Sequence, residues 1–328
     1  MPTDKSPRYR ASDLIAFAEG LFRAAGSEPE KALSMAEHLV EADLMGHTTH
    51  GLAQIPRYLE EIEAGLMAKT GEPRVIADRG AAITWDGGTL PGIWLTDKAL
   101  ALASERARRH GLAAVAIGRG HHSGCLAVYL RKATEQNLMA IIASSDPSEA
   151  TMAPLGGLAA VFTPDPIAFG IPTGGDPILV DISASITTNA MTGRLRREGG
   201  RYPGLWAQDA QGRATDDPAV MGASPPGTLL PTGGKDHGHK GYGLALAVEA
   251  PFRPHVSWGI FGVSLFVETA FGLPGLGRTA ATALQRNDLP VIVGIVVFVT
   301  VVIVVMNLIA DILFAVLDPR VKLQTKTA

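Results

Sequence analysis

Leu289 to Ala310 is an uncharged run of 22 residues inside LPVIVGIVVFVTVVIVVMNLIADILFAVL (289–317). As a helix it would reach about 33 Å, enough to cross a hydrocarbon core of ~30 Å. Soluble core helices seldom run this long without a charge. The run therefore predicts a transmembrane helix over about 289–313 rather than a buried core helix. The preceding 250 residues have the opposite character, with nearly all of the 32 acidic residues and all but one of the nine histidines. A helix that starts at Gly241 meets Pro251 and Pro254, which remove backbone donors and break it. Two domains are expected on this basis, 1–250 and 251–328. In the second, Val256–Val267 is moderately apolar but short for a full span, and FGLPGLGR (271–278) is a turn-rich link.

The net charge of −3 carries no basic excess, which argues against a nucleic-acid partner. A single cysteine, Cys125, excludes an internal disulfide framework and a thiolate-only zinc cage. The opening MPTDKSPRYRASDL has no apolar stretch after its charges, so no secretory signal is expected. Apolar periodicity predicts helices after Ser12-Asp13, over about 29–44, after Gly51, over 95–109 and over 124–136. Strands are expected at 81–85, 112–117, 138–144, 159–163, 167–171 and 178–182. Residues 194–235, rich in Gly, Pro and Asp, read as a long irregular section.

Four clusters carry candidate chemistry. In EADLMGHTTHGLAQIPRY (41–58), His47 and His50 would share one face of a helix, and a neutral imidazole at position 50 suits proton exchange with a hydroxyl. Arg57 offers a bidentate fork to a carboxylate. Helix capping or a surface role is the alternative for these histidines. In GLAAVAIGRGHHSGCLAVYLRKATEQNLMAIIASSD (111–146), Gly118, Gly120 and Gly124 lie between a strand and a helix, and Asp146 follows the next strand. The spacing is G-x-G-x-x-x-G rather than G-x-G-x-x-G, and His121-His122 fill the turn, so a dinucleotide fingerprint is disfavoured. TPDPIAFGIPTGGDPILVDISAS (163–185) holds short strands whose main chain could grip a nucleotide. In GGKDHGHKGYGLALAVEA (233–250), Lys235, His237, His239 and Lys240 crowd a helix start, which favours a phosphate; a solvated basic loop is the alternative. No zincin or finger spacing accompanies the paired histidines, so no metal is expected.

Together, GHTTHGLAQIPRY, GRGHHSGCLAVY, PIAFGIPT with PILVDIS, and GHKGYGLALAVE resemble the type-2 malate/L-lactate dehydrogenase family over residues ~10–250. The resemblance implies an α/β, non-Rossmann malate/L-lactate dehydrogenase-like fold with a mixed sheet and N-terminal helices. It also implies a homodimer, and hydride transfer between NAD or NADP and a small 2-hydroxy or 2-keto acid. It makes His50 the general acid/base and His122 the second active-site histidine, with Thr49 and Arg57 on the substrate. It places Pro177, Ile178, Leu179, Val180, Asp181, Ile182 and Ser183 along the nucleotide, with Gly238, His239 and Lys240 as further cofactor contacts. Departures stand out: Gln54 replaces an arginine that many members carry, Asp165 replaces the usual asparagine, and Arg119 and His121 stand where the family has asparagines. The family also continues well beyond the GYGLALAVE helix, so the dehydrogenase unit reads as C-terminally truncated and its activity as impaired.

The segment 266–322, with VETAFGLPGLG, RNDLPV, NLIAD and LDPRVK, resembles the C-terminal end of a dipeptide/oligopeptide ABC-transporter permease. This implies attachment to the inner membrane and contact with lipid, with the dehydrogenase part cytoplasmic. A non-catalytic remnant of such a permease is the alternative function.

Overall fold

The computed structural model describes residues 8–146 and 149–249. Three helices come first: α1 (Ala11–Ala24), α2 (Pro29–Leu44) and α3 (Ile55–Glu63). Ala18 and Phe22 on α1 are four residues apart. Ala32, Met35, Ala36 and Leu39 on α2 follow the same helical period. These positions meet Tyr58 and Ile62 of α3 in one buried cluster. Each large side chain contributes about 1.5–3 kcal/mol through its removal from water. Pro29 opens α2 where a missing N–H costs nothing.

A mixed sheet follows. β1 (Arg74–Asp78) pairs antiparallel with β2 (Ala82–Asp86), and β2 pairs parallel with β3 (Ala114–Gly118). The parallel crossover is α4 (Gly92–His110), ended by Gly111 in the left-handed region. Then come α5 (Leu126–Thr134) and an antiparallel sheet of β4 (Ala140–Ala143), β5 (Pro166–Ile171) and β6 (Ile178–Ser183). The strands flanking α5, β3 and β4, belong to different sheets. The glycine-bearing turn before α5 is thus not part of a βαβ dinucleotide unit, as its spacing predicts.

Two expectations need correction. Residues 159–163 form no strand; Phe162 makes only an isolated bridge to Met152, and Pro164 has no N–H to extend it. The supposedly irregular 194–235 stretch begins inside a helix, α6 (Asn189–Glu198). Thr188 caps it by accepting from the Met191 amide at 3.1 Å, and Gly199 closes it. Its signals were the cap and the glycine, but only Thr192 is buried, so no apolar period marks it. A small sheet of β7 (Ala207–Gln208), β8 (Ala214–Thr215) and β9 (Thr228–Leu229) follows, then α7 (Gly234–His237) and α8 (His239–Glu249). Among the described residues no helix is long and apolar enough to cross a membrane. The expected span over 289–313 lies outside the described residues.

Asp165, just before β5, is fully buried with a positive φ of 45°. Burial, then the neighbouring Glu249 carboxylate on α8, pushes its carboxyl up to about 7. Ser145 donates to Glu249 at 2.5 Å, which ties the pair to the segment after β4. A carboxyl raised in the folded state stabilises folding at low pH, and that contribution is lost as pH climbs from the unfolded range near 4 through about 7. Asp165→Asn should therefore raise the thermal midpoint more at pH 8 than at pH 5. Equal shifts at both pH values, measured by calorimetry, would contradict this account.

Candidate active site

The loop between α2 and α3 carries the first histidines. The His50 amide donates to the His47 carbonyl at 2.8 Å, so the two sit in a turn rather than on the shared helix face expected from their spacing. Asp43, near the end of α2, accepts the Leu52 amide at 2.9 Å. A Cβ on Gly51 would lie 2.0 Å from the same carboxylate, so only glycine lets the chain pass. Gln54 is buried and donates to the Thr49 carbonyl at 2.7 Å. In place of a cation, this position provides a clamp on the loop. Arg194 of α6 adds a second clamp, with bonds of 3.1 and 3.0 Å to the Thr48 hydroxyl and carbonyl.

His122 arrives from the loop before α5. Its approach depends on Gly92 at the start of α4, where a Cβ would lie 2.0 Å from the His121 carbonyl oxygen. The rings of His50 and His122 stack with centroids 5.7 Å apart. Thr49 Oγ1 lies 2.9 Å from His50 Nδ1, and Tyr58 Oη lies 2.6 Å from His122 Nδ1. Burial, with His47 adding repulsion, holds the His50 imidazole down at about 4. Burial, followed by His50 and Arg57, pushes His122 well below its usual range. Both rings are therefore neutral at pH 7, and burial likewise raises the Tyr58 hydroxyl.

These groups open onto a cleft of about 250 Å³. His50, His122, Thr49 and Arg57 all line it, as do Asp181, Ile182 and Ser183 of β6. Arg57 is not a free fork: its Nε donates to Glu61 at 2.8 Å and its Nη2 reaches Glu149 at 3.4 Å. Glu61 also meets His121 at 3.1 Å. A second cavity of about 450 Å³ shares Ile182 and Ser183 with the first and is lined further by Lys240, Gly241 and Leu244. Gly238 is buried beside it in sequence, His239 is exposed, and neither lines either cavity. Pro177, before β6, and Ile178, Leu179 and Val180 within it lie outside both cavities; Leu179 packs instead into the core beside Leu130. Lys235 is drawn away to Gln208 at 2.6 Å and the Gly212 carbonyl at 2.9 Å.

Sequence reasoning missed Tyr58, Arg194 and the convergence of His47, Cys125 and Asp181. Nothing in local spacing joins residues from a turn, a helix start and a strand. The ligand atoms of these three lie within 4.8 Å of one another.

A family profile described as malate/L-lactate dehydrogenase matches residues 9–250. A second, described as binding-protein-dependent transport system inner membrane component, matches residues 247–323. Hydroxycarboxylate dehydrogenase B of Escherichia coli is 32% identical over 243 residues, which is 74% of this chain and 66% of that protein. The (2R)-3-sulfolactate dehydrogenase (NADP(+)) of Chromohalobacter salexigens is 33% identical over 244 residues, covering 73% of this chain and 69% of that protein. The solved malate dehydrogenase of Pyrococcus horikoshii matches with a TM-score of 0.66 at 27% identity, over 74% of this chain and 66% of that one. The chain thus spans about two thirds of the length of the curated relatives it matches.

Tyr58→Phe should cost roughly 1–3 kcal/mol, because it leaves the buried His122 Nδ1 without its partner. Denaturant unfolding checks this, and an unchanged midpoint would mean the 2.6 Å contact contributes nothing to stability.

Proposed function

Residues 9–250 belong to the malate/L-lactate dehydrogenase family, and from that premise we propose that the chain transfers a hydride between a nicotinamide nucleotide and a small 2-hydroxy or 2-keto acid. The observation that carries this reading is the stacked pair of neutral histidines in a cleft that continues, through Ile182 and Ser183, into a cavity lined by Lys240. That second cavity fits a nucleotide phosphate: Lys240 is a cation in the first turn of α8, where the helix dipole also favours an anion. Ile182, Ser183 and Lys240 would hold the cofactor there; Gly238 and His239 precede Lys240 in the chain without lining the cavity. NAD and NADP both suit this arrangement; the sulfolactate dehydrogenase relative named above is described with NADP(+).

When bound, the nicotinamide supplies or accepts the hydride. The remaining chemistry falls to side chains. His50 exchanges a proton with the substrate oxygen through Nε2, since Nδ1 is engaged by Thr49. Nδ1–H donates to the Thr49 hydroxyl both in the neutral imidazole, which takes the substrate's hydroxyl proton at Nε2, and in the imidazolium, which returns it, so one contact serves both directions of reaction. A phenol that donates to Nδ1 keeps the His122 proton on Nε2, ready to hydrogen-bond the reacting oxygen. Arg57 takes the substrate carboxylate by exchanging its longer contact, to the half-exposed Glu149, for the ligand. Two subunits are expected to associate, as the family resemblance implies.

The match over 247–323 to a transport inner membrane component favours attachment of the same chain to the inner membrane. On that reading residues 289–310 sit in lipid and the dehydrogenase part faces the cytoplasm. A second reading follows from the same match: the chain is a permease-derived membrane protein whose dehydrogenase unit is silent. The full chain, purified in detergent, should oxidise NADH or NADPH with one or more 2-keto acids, and His50→Ala should reduce the rate by about 10²–10⁴-fold. Saturable nucleotide binding without turnover would favour the silent reading, and turnover indifferent to His50→Ala would remove His50 from its proposed role. Alkaline carbonate extraction should leave the chain in the membrane pellet; recovery in the supernatant would overturn the attachment.

A further inference from the structure

His47, Cys125 and Asp181 come from the turn after α2, the residue preceding α5 and the middle of β6, and all three line the same cleft. We propose that they form a site for a single zinc-class divalent cation, with three protein ligands and a fourth position open to the cleft. The donor set has the chemistry zinc selects: one imidazole nitrogen, one sulfur and one carboxylate oxygen. Its thiolate and carboxylate together offer two negative charges to a divalent ion.

The distances fit. Bond lengths of about 2.3 Å to sulfur and about 2.1 Å to oxygen, at a tetrahedral angle, separate those ligand atoms by about 3.6 Å. Cys125 Sγ and Asp181 Oδ2 lie 3.8 Å apart. The imidazole of His47 completes the set within the 4.8 Å limit, so a small side-chain rotation closes it.

The surroundings hold these ligands as a second layer holds them in metal sites. The Ala127 amide donates to Asp181 Oδ2 at 2.9 Å and fixes the carboxylate. The Cys125 amide donates to His38 Nε2 at 3.0 Å and fixes the cysteine backbone. Without a cation, the buried Cys125 sulfur and the Asp181 carboxyl face each other across the 3.8 Å gap. A cation relieves that crowding. Binding forms a sulfur–metal bond and breaks the Cys125 S–H bond, with the proton leaving to solvent. No redox change is involved. Three protein ligands and an open position match exchangeable or catalytic sites rather than closed structural ones. The open position would also offer a cation to a carboxylate ligand in a cleft where Arg57 is already shared by Glu61 and Glu149.

Cobalt(II) titrated into the full chain in detergent, without nucleotide or substrate, tests this independently of any turnover. The expected result is saturation at one equivalent with a sulfur-to-cobalt charge-transfer band, displaced by zinc. Because the chain holds one cysteine, the band by itself identifies Cys125. Cys125→Ser should abolish the band, and Asp181→Asn and His47→Gln should each weaken binding at least tenfold, with circular dichroism confirming a folded chain. Absence of saturable uptake, uptake without the band, or a band indifferent to both Asp181→Asn and His47→Gln would overturn the site.

Discussion

The carboxylate of Asp43 accepts the Leu52 amide at 2.9 Å and occupies the space where a side chain on residue 51 would begin. That contact sets the path of the chain from α2 into α3. Since α2 is held by its buried face of Ala32, Met35, Ala36 and Leu39, the turn that carries His47 and His50 inherits the rigidity of the helical core. Gln54 and Arg194 then hold the carbonyls of Thr49 and Thr48. Tyr58, one turn into α3, packs in the same core and reaches His122. The two candidate catalytic imidazoles are thus aligned by one helical cluster, although 72 residues separate them in sequence. A geometry fixed in this way needs little rearrangement when substrate arrives, which is where orientation contributes to rate.

Charge in the cleft is more constrained than the sequence suggests. Burial of His50 and His122 removes them as cations, so Arg57 is left as the arginine or lysine among the lining residues, paired with Glu61 and Glu149 in a cleft that Asp146 and Asp181 also line. A 2-keto acid brings one more negative charge. Either it displaces Glu149, the more exposed partner, or a second cation shares the load. The replacement of a family arginine by Gln54 sharpens this problem, because the glutamine amide is spent on the Thr49 carbonyl.

Much of this was legible in the sequence, and what was missed was missed for identifiable reasons. The helical period of Ala32, Met35, Ala36 and Leu39 and the strand at Ile178–Ser183 follow directly from pattern. The histidine motifs located both cleft imidazoles. α6 escaped because its stability rests on a Thr188 cap and tertiary contacts rather than on an apolar face. Of the β6 residues expected along a nucleotide, Ile182 and Ser183 reach a cavity shared with Lys240. Leu179 packs into the core beside Leu130 instead. Arg57 lines the cleft, but no linear pattern announces Glu149, 92 positions away, as its partner. The same holds for His47, Cys125 and Asp181, whose meeting is a property of the fold alone.

The junction between the two matched families falls at an unexpected place. Domain boundaries usually lie in exposed, polar linkers across which few contacts pass. Here the dehydrogenase match ends at 250 and the transport-component match begins at 247, so the two overlap in the last turn of α8. That turn is not peripheral to the first unit. Val248 and Glu249 are buried, Ala245 joins the core around Met152 and Leu229, and Glu249 bonds to Ser145 and presses on Asp165. The opposite end of α8 carries Lys240 into the proposed nucleotide cavity. A single helix of 11 residues therefore runs from the cavity lined by Lys240 to the sequence switch. The transport-component match begins only at residue 247, so α8, with Lys240 at one end and the Ser145–Glu249 bond at the other, stays within the dehydrogenase match.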